Sequence, residues 1–205
     1  MKSINIFCFG FGQVAKSFIK KLIIENYKIT LTTTSRNKSS KENFEGISHN
    51  SYLFDSNKFD NNLLVELKKA DHILVSVPPE KQEDLVVKNF SKFIEDTKVK
   101  WITYLSSTSV YGDHKGVWVN ENSKTKPTSF NGISRLKAEN SWLSLQMNKN
   151  LSIQIFRLSG IYSKEKNILV RLKLGTAKLI NKKDHYFSRI HIQDIANILF
   201  KSLSK

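Results

Sequence analysis

Short apolar runs along this chain alternate with segments whose apolar residues recur at helical spacing. Ile4 to Phe9 is apolar and ends at Gly10, the pattern of a strand buried on both faces of a parallel sheet, and Val14, Phe18 and Leu22 then follow a helical period. Lys28 to Thr34, rich in Ile and Thr, predicts a second strand and with it a βαβ unit of right-handed crossover. Tyr52 to Phe54 predicts a weaker third strand and Leu63 to Lys69 a helix. His72 to Val77 predicts a strand closed by Pro78 and Pro79, and Leu85, Phe90 and Ile94 mark another helix. Val99 to Leu105 predicts a strand, Ser134 to Met147 a helix with Leu136, Leu143 and Met147 on one side, and Leu151 to Leu158 a further strand. Asn37 to Asn50 and Gly112 to Asn131 read as polar loops, Tyr162 to His185 shows no clear pattern, and Ile190 to Leu203 reads as a final helix. This alternation predicts an α/β fold, a doubly wound parallel sheet with helices on both faces.

Composition narrows the class. A chain of 205 residues suits one domain, and 40% hydrophobic and 11% aromatic residues with 8 Gly and 3 Pro exclude a collagenous, low-complexity or wholly disordered protein. Lys+Arg total 33 against 18 Asp+Glu, for a net charge of +15. The cations include only Arg36, Arg135, Arg157, Arg171 and Arg189 as arginines, and the lysines are spread through the chain, which describes a solvated surface better than a nucleic-acid groove. A nucleic-acid partner has charge alone in its favour and is set aside. The same charge would help draw in a phosphorylated ligand.

Cys8 is the only cysteine, so no intrachain disulfide can form, which fits a reducing compartment. Lys2 and the apolar residues behind it superficially resemble a secretory leader, but the run is short and broken by Gly10 and Gly12. No segment approaches the ~18 to 20 apolar residues of a membrane helix. A cytoplasmic protein without a membrane partner is expected. His49, His72, His114, His185 and His191 show no zinc-binding spacing, and no metal site is expected. His191 and Asp194, with Arg189 before them, read better as a helix start than as a metal or acid/base group.

Gly10-Phe11-Gly12-Gln13-Val14-Ala15 reads G-x-G-x-x-A, placed after the first strand and at the start of the first helix. Gly10 permits a tight turn, Gly12 removes a side chain where a pyrophosphate must approach the backbone, and Ala15 allows close packing of helix on strand. The amides of Gln13 and Val14 open the helix, whose positive end favours phosphate. This is the dinucleotide-binding turn of a Rossmann-type sheet, although the same glycines could serve a compact turn alone. Thr32-Thr33-Thr34-Ser35-Arg36 closes the second strand where NAD-preferring sites commonly place an acid, so hydroxyls with Arg36 favour NADP over NAD through a 2′-phosphate. Asp55 could accept a hydrogen bond from the adenine amino group or simply serve a turn.

Tyr104-Leu105-Ser106-Ser107-Thr108-Ser109-Val110-Tyr111-Gly112-Asp113 follows a buried strand and should lie at the carboxyl edge of the sheet, where α/β ligands bind. With GFGQVA, the later Arg157-Leu158-Ser159-Gly160-Ile161-Tyr162 and Arg189-Ile190-His191-Ile192-Gln193-Asp194-Ile195-Ala196, it resembles the extended short-chain dehydrogenase/reductase superfamily, nearest its NAD(P)-dependent epimerase/dehydratase-like branch. The resemblance runs over nearly the whole chain.

It implies a catalytic Ser or Thr at Ser107 and a Tyr-x-x-x-Lys on the following helix. Aligning Ala138-Glu139 with the family's helix puts Asn131 at the Tyr position and Arg135 at the Lys position. In the family the Tyr exchanges a proton with substrate while the Lys lowers its pKa and holds the nicotinamide ribose. Asn131 does not titrate, a loss typically worth ~10² to 10⁴ in rate. Arg135 is a fixed charge of different shape. Tyr111, His114 and Tyr162 are substitutes expected near the same edge, the two tyrosines reading more readily as packed under loops and His114 as a turn residue. Family members continue into further substrate-binding structure, so a small or incomplete carboxyl-terminal substrate lobe is expected on one domain spanning 1–205. Residues 112–131 and 162–189 are its candidate loops, which a partner subunit, as in a homodimer, could complete. The expectation is an NADP-preferring epimerase/dehydratase-like or oxidoreductase-like protein for a small polar, sugar-derived ligand. A non-catalytic dinucleotide sensor or scaffold is the alternative.

Overall fold

The structure is a computed structural model that describes residues 2–149, 151–179, 181 and 186–203. Expectations that touch His185 or the lysines at 182 and 183 lie outside the described residues. The elements run β1 (Ser3–Phe9), α1 (Gln13–Ile24), β2 (Lys28–Ser35), β3 (Ser40–Phe44), β4 (Ile47–Asp55), β5 (Lys58–Phe59), α2 (Asn62–Lys69), β6 (His72–Val75), α3 (Leu85–Glu95), β7 (Trp101–Ser107), a 3-10 turn (Thr108–Tyr111), α4 (Phe130–Lys149), β8 (Ile153–Leu158), β9 (Gly160–Tyr162), α5 (Ile168–Lys173), β10 (Arg189–His191) and α6 (Ile192–Ser202).

Parallel strands in the order β4-β2-β1-β6-β7-β8 form the body of the sheet, with β3 and β5 antiparallel to β4. This is the doubly wound Rossmann arrangement, and the strand order reverses between β1 and β6. Side-chain alternation along β1 supplies two cores. Ile4, Ile6 and Cys8 face α1 and α6 with Phe18, Leu22, Trp101, Ile195 and Leu199. Phe7 and Phe9 face α2, α3 and α4 with Leu63, Phe90, Tyr104 and Trp142. Full burial pushes the Cys8 thiol up to about 12, so it packs as a small apolar side chain.

The predicted strands and helices recur with shifted ends, and four expectations change. The 37–50 stretch is not a loop: β3 and the first half of β4 form a hairpin around Glu45 (φ 51) and Gly46 (φ 83). β3 is a largely exposed edge, so its polar side chains carry no alternation while the backbone pairs. Helix α4 begins at Phe130, ahead of the predicted Ser134. Gly132 hides its first turn in the sequence, yet a Cβ there would meet the Ser109 carbonyl oxygen at 2.5 Å, so close approach to the 3-10 turn excludes a side chain. Residues 160–173 hold β9 and α5, and α5 buries none of its side chains and so leaves no core periodicity to read. The last segment opens with β10, which pairs with β9, before α6 starts at Ile192. His191 caps that helix, its Nδ1 accepting from the Gln193 amide at 3.4 Å.

His72 opens β6 beside Trp101 with its Nδ1 buried and unpartnered among the described residues. Burial lowers its pKa from 6.5 to about 4, with Asp71 opposing and Lys100 adding to the shift. The unfolded chain therefore takes up this proton at higher pH than the folded one. The contribution is intact above pH 6.5 and is lost progressively between 6.5 and about 4. Chemical denaturation across this window should show wild-type stability falling more steeply than that of His72→Phe; parallel profiles would refute the assignment.

Candidate functional site

The turn after β1 sits at the point where the strand order reverses. Gly10 has φ +81, and a Cβ there would lie 2.9 Å from the Ser76 hydroxyl and 3.0 Å from Val77 Cγ1, so the fold itself requires glycine. The Gly10 amide donates to Thr34 Oγ1 at 2.8 Å, and the Ser76 hydroxyl reaches the carbonyls of Phe9 (3.1 Å) and Gly10 (3.0 Å). Thr34 on β2 and Ser76 just past β6 thus fix the turn. Ala15 is fully buried and brings α1 onto the sheet.

Gly12 differs from Gly10. Its backbone is extended (φ −82, ψ −170), and an added Cβ would meet nothing within 4 Å. Protein packing does not ask for glycine there, and the backbone at the start of α1 is left open to close approach. That start carries no side-chain cap and no acidic residue in the first turn, so its amides and positive dipole end remain available to an anion. The residues present therefore fit a dinucleotide's pyrophosphate.

Gly12, Gln13 and Val14 line a cleft of about 320 Å³ whose far wall includes Ser106, Ser107, Arg135 and Ser159, with Ser76 between the two sides. The fold thus brings together Gly12, Gln13, Val14, Ser107 and Arg135, drawn from three distant segments. Asn131 is exposed on the first turn of α4, one turn before Arg135, and does not line the cleft. Arg36 is exposed just past β2, and Asp55 is exposed in the β4–β5 hairpin opposite Lys58. Neither lines the cleft. The Thr32–Thr34 hydroxyls are buried in the sheet, and Thr34 is engaged by Gly10, so only Ser35 stands with Arg36 at the edge.

Two arginines behind the cleft are used differently. Arg157 on β8 grips buried Glu139 of α4 with Nε at 3.1 Å from each carboxylate oxygen and Nη2 at 2.8 Å from Oε2. Its Nη1 donates to the Tyr111 hydroxyl at 3.1 Å, and the Ser106 hydroxyl donates to Glu139 Oε1 at 2.6 Å. This cluster ties β7, β8, α4 and the 3-10 turn together, and Glu139 holds the Arg157 pKa above its ordinary value. Arg135 instead donates through Nη1 to the Leu105 carbonyl (2.6 Å) and the Tyr104 hydroxyl (3.2 Å). Tyr104 stacks on Trp142, whose indole N–H donates to Asp84 at 3.2 Å; Asp84 also caps α3 by accepting from the Val86 and Val87 amides.

The tyrosines near the cleft are therefore hydrogen-bond acceptors for arginine. Burial pushes the Tyr104 phenol well above its ordinary pKa. Tyr111 is buried as expected, but Tyr162 is 42% exposed and touches His191 edge-on instead of packing beneath a loop. His114 lies in a loop, its Nε2 3.1 Å from the Lys124 carbonyl. Among the described residues, Arg135 is the only titratable side chain lining the cleft. No motif in the sequence marks Ser76, Glu139 or the Arg157 contact as building the site. Pairing across β7, β8 and α4 has no local sequence signature.

Residues 4–96 match the family model described as NADP oxidoreductase coenzyme F420-dependent. No curated protein matches the chain. Among solved structures, a functionally unknown conserved protein from Silicibacter pomeroyi DSS superposes with TM-score 0.81 at 29% identity, over 98% of this chain and 68% of that one. UDP-glucuronic acid 4-epimerase from Bacillus cereus, in complex with UDP-glucuronic acid and NAD, gives TM-score 0.79 at 14% identity over 98% and 74%. UDP-N-acetylglucosamine 4-epimerase from Bacillus cereus gives 0.71 at 17% identity over 98% and 74%. The fold is the Rossmann fold of NAD(P)-dependent oxidoreductases and epimerases, as the motif resemblance implied. Among the described residues no helix is long and apolar enough to cross a membrane.

The Glu139–Arg157 pair is testable as the clamp of this wall. Glu139→Leu should destabilise the protein by ~1 to 3 kcal/mol in chemical denaturation, because it removes the carboxylate partner of the half-buried Arg157 guanidinium. The double change with Arg157→Met should cost less than Glu139→Leu alone; simple additivity of the two single changes would contradict the clamp.

Proposed function

We propose that this chain binds a nicotinamide dinucleotide across the turn after β1, with NADP preferred over NAD, as an epimerase/dehydratase-like or oxidoreductase-like protein for a small polar ligand. The observation that carries the reading is Gly12, a glycine the packing does not need, at an uncapped helix start on the wall of a cleft. In this reading the Gly12, Gln13 and Val14 backbone receives the pyrophosphate, Gly10 and Ala15 shape the turn, and Arg36 with Ser35 meets the 2′-phosphate. Asp55 is the adenine-side residue. Ser107 orients the reacting oxygen and Arg135 holds the nicotinamide ribose. The bound nicotinamide would supply hydride transfer. Residues 112–131 and, among the described residues, 162–179 and 186–189 supply the substrate side of one domain.

A second reading, a dinucleotide sensor without turnover, is favoured by a specific observation. Asn131 stands outside the cleft, and the Tyr104 and Tyr111 hydroxyls are held by Arg135 and Arg157. No described cleft side chain is then suited to general acid/base work, a contribution typically worth ~10² to 10⁴ in rate. NADPH binding without oxidation or epimerisation across a sugar-nucleotide panel would select the sensor; turnover would select the enzyme.

Gly12→Ala should leave stability within about 1 kcal/mol of wild type yet weaken NADPH binding at least about tenfold. Gly10→Ala should destabilise by roughly 1 to 2 kcal/mol or more through its left-handed backbone alone. Unchanged NADPH affinity in Gly12→Ala, read by fluorescence titration, would remove the proposed pyrophosphate site. Arg36→Ala should weaken NADPH about tenfold and leave NADH unaffected, as expected for one charge-assisted contact. Equal losses for both cofactors would sink the 2′-phosphate assignment.

A further inference from the structure

Arg135 is a half-buried guanidinium on the wall of the cleft, and among the described residues no carboxylate lies within ion-pair distance of it. The contrast with Arg157 is informative. Arg157 is paired directly with Glu139 on two of its edges, whereas Arg135 lies over the Tyr104 ring, hydrogen-bonds through Nη1 to one carbonyl and one phenol, and feels the buried Asp84 carboxylate only at longer range. Among the described residues its remaining N–H donors have no hydrogen-bond partner. A guanidinium does not deprotonate in proteins, so the charge persists whatever the pH.

The hydroxyls beside it are arranged for donation. Ser107 Oγ accepts from the Ser109 amide at 3.2 Å, which leaves the Ser107 proton free to point elsewhere. Ser106, by contrast, gives its proton to Glu139 at 2.6 Å, and Ser76 gives its proton to the Phe9 and Gly10 carbonyls. No carboxylate side chain lines the cleft among the described residues. The wall therefore offers fixed positive charge and a hydroxyl donor, with no acid to compete. An oxyanion would give Arg135 the direct ion pair it lacks; a neutral sugar hydroxyl would not.

We propose that the cleft takes, beside the dinucleotide, a ligand bearing an oxyanion, either carboxylate or phosphate, paired with Arg135 and hydrogen-bonded by Ser107. The proposal deepens the dinucleotide reading and rests on it for the place of the ligand. Arg135 keeps its ribose contact through part of the same planar fork and sets selectivity with the rest. The excess positive charge of the chain acts in the same direction by raising the local concentration of anionic ligands.

The test uses the full chain saturated with NADP⁺, after NADP⁺ binding has been measured on its own. Glucuronate, glucose 6-phosphate and glucose are then titrated calorimetrically at constant ionic strength. At least one anionic sugar should bind about tenfold or more tighter than glucose, the size of one charge-assisted pair, and which of the two does so identifies the oxyanion. Arg135→Gln should bring that ratio close to unity, Arg135→Lys should restore only part of it, and Lys16→Gln should leave it unchanged. Equal affinity for anionic and neutral sugars, no binding of either anion, or selectivity that survives Arg135→Gln would each overturn the proposal. Failure of NADP⁺ to bind in the first measurement counts against the dinucleotide reading instead. Should Arg135→Gln fail to fold, amide shifts of wild type on adding the anion decide the matter. Changes centred on Leu105, Ser107 and Arg135 support the site, and changes elsewhere refute it.

Discussion

Both faces of β1 are buried, with Ile4, Ile6 and Cys8 on one side and Phe7 and Phe9 on the other, and a strand so placed must have helices above and below it. Parallel neighbours satisfy that requirement, because each strand-to-strand crossover lays a helix on one face. The consequence is geometric. Every parallel strand ends at the same edge, so the turn after β1, the segment after β6, the end of β7 and the segment after β8 converge there. The cleft is a by-product of covering β1 on both sides.

That edge is held by polar contacts of two kinds. Around the first turn they are short-range and neutral: Thr34 receives the Gly10 amide, and Ser76 reaches back to the carbonyls on either side of the bend. On the opposite wall they are ionic and buried. Glu139 collects Arg157 and Ser106, and Arg157 in turn holds Tyr111. A buried charge left without its partner is expensive, so this pairing fixes where β8 and α4 stand relative to β7. Arg135, a single helical turn before Glu139, contributes to the wall without a direct ion pair among the described residues. Two arginines of the same chemistry are therefore used differently, one spent on architecture and one left facing the cleft.

Aromatic packing supports the same division. Phe9, Phe54, Phe59 and Phe90 form a chain of edge and tilted contacts beneath the sheet, and Tyr104 lies against Trp142. The Tyr104 hydroxyl at the end of that layer is where apolar core meets the guanidinium of Arg135. Asp84 closes the layer by capping α3 and accepting the Trp142 indole proton, so α3 and α4 are joined through one carboxylate. The Tyr104 phenol is thereby occupied.

The amino-acid sequence by itself determined the doubly wound sheet, the glycine turn and the ordered motifs at the carboxyl edge, because apolar periodicity and turn chemistry are local properties of the chain. Gly10 was legible for the same reason. It could not reveal that the 40–55 stretch is a hairpin, since an exposed edge strand pairs through backbone groups that all residues share. Nor could it separate Arg135 from Arg157, or Gly12 from Gly10. Whether a guanidinium is neutralised, and whether a missing Cβ leaves open space or avoids a clash, depends on which distant segments stand within a few ångströms, and only the tertiary structure decided that.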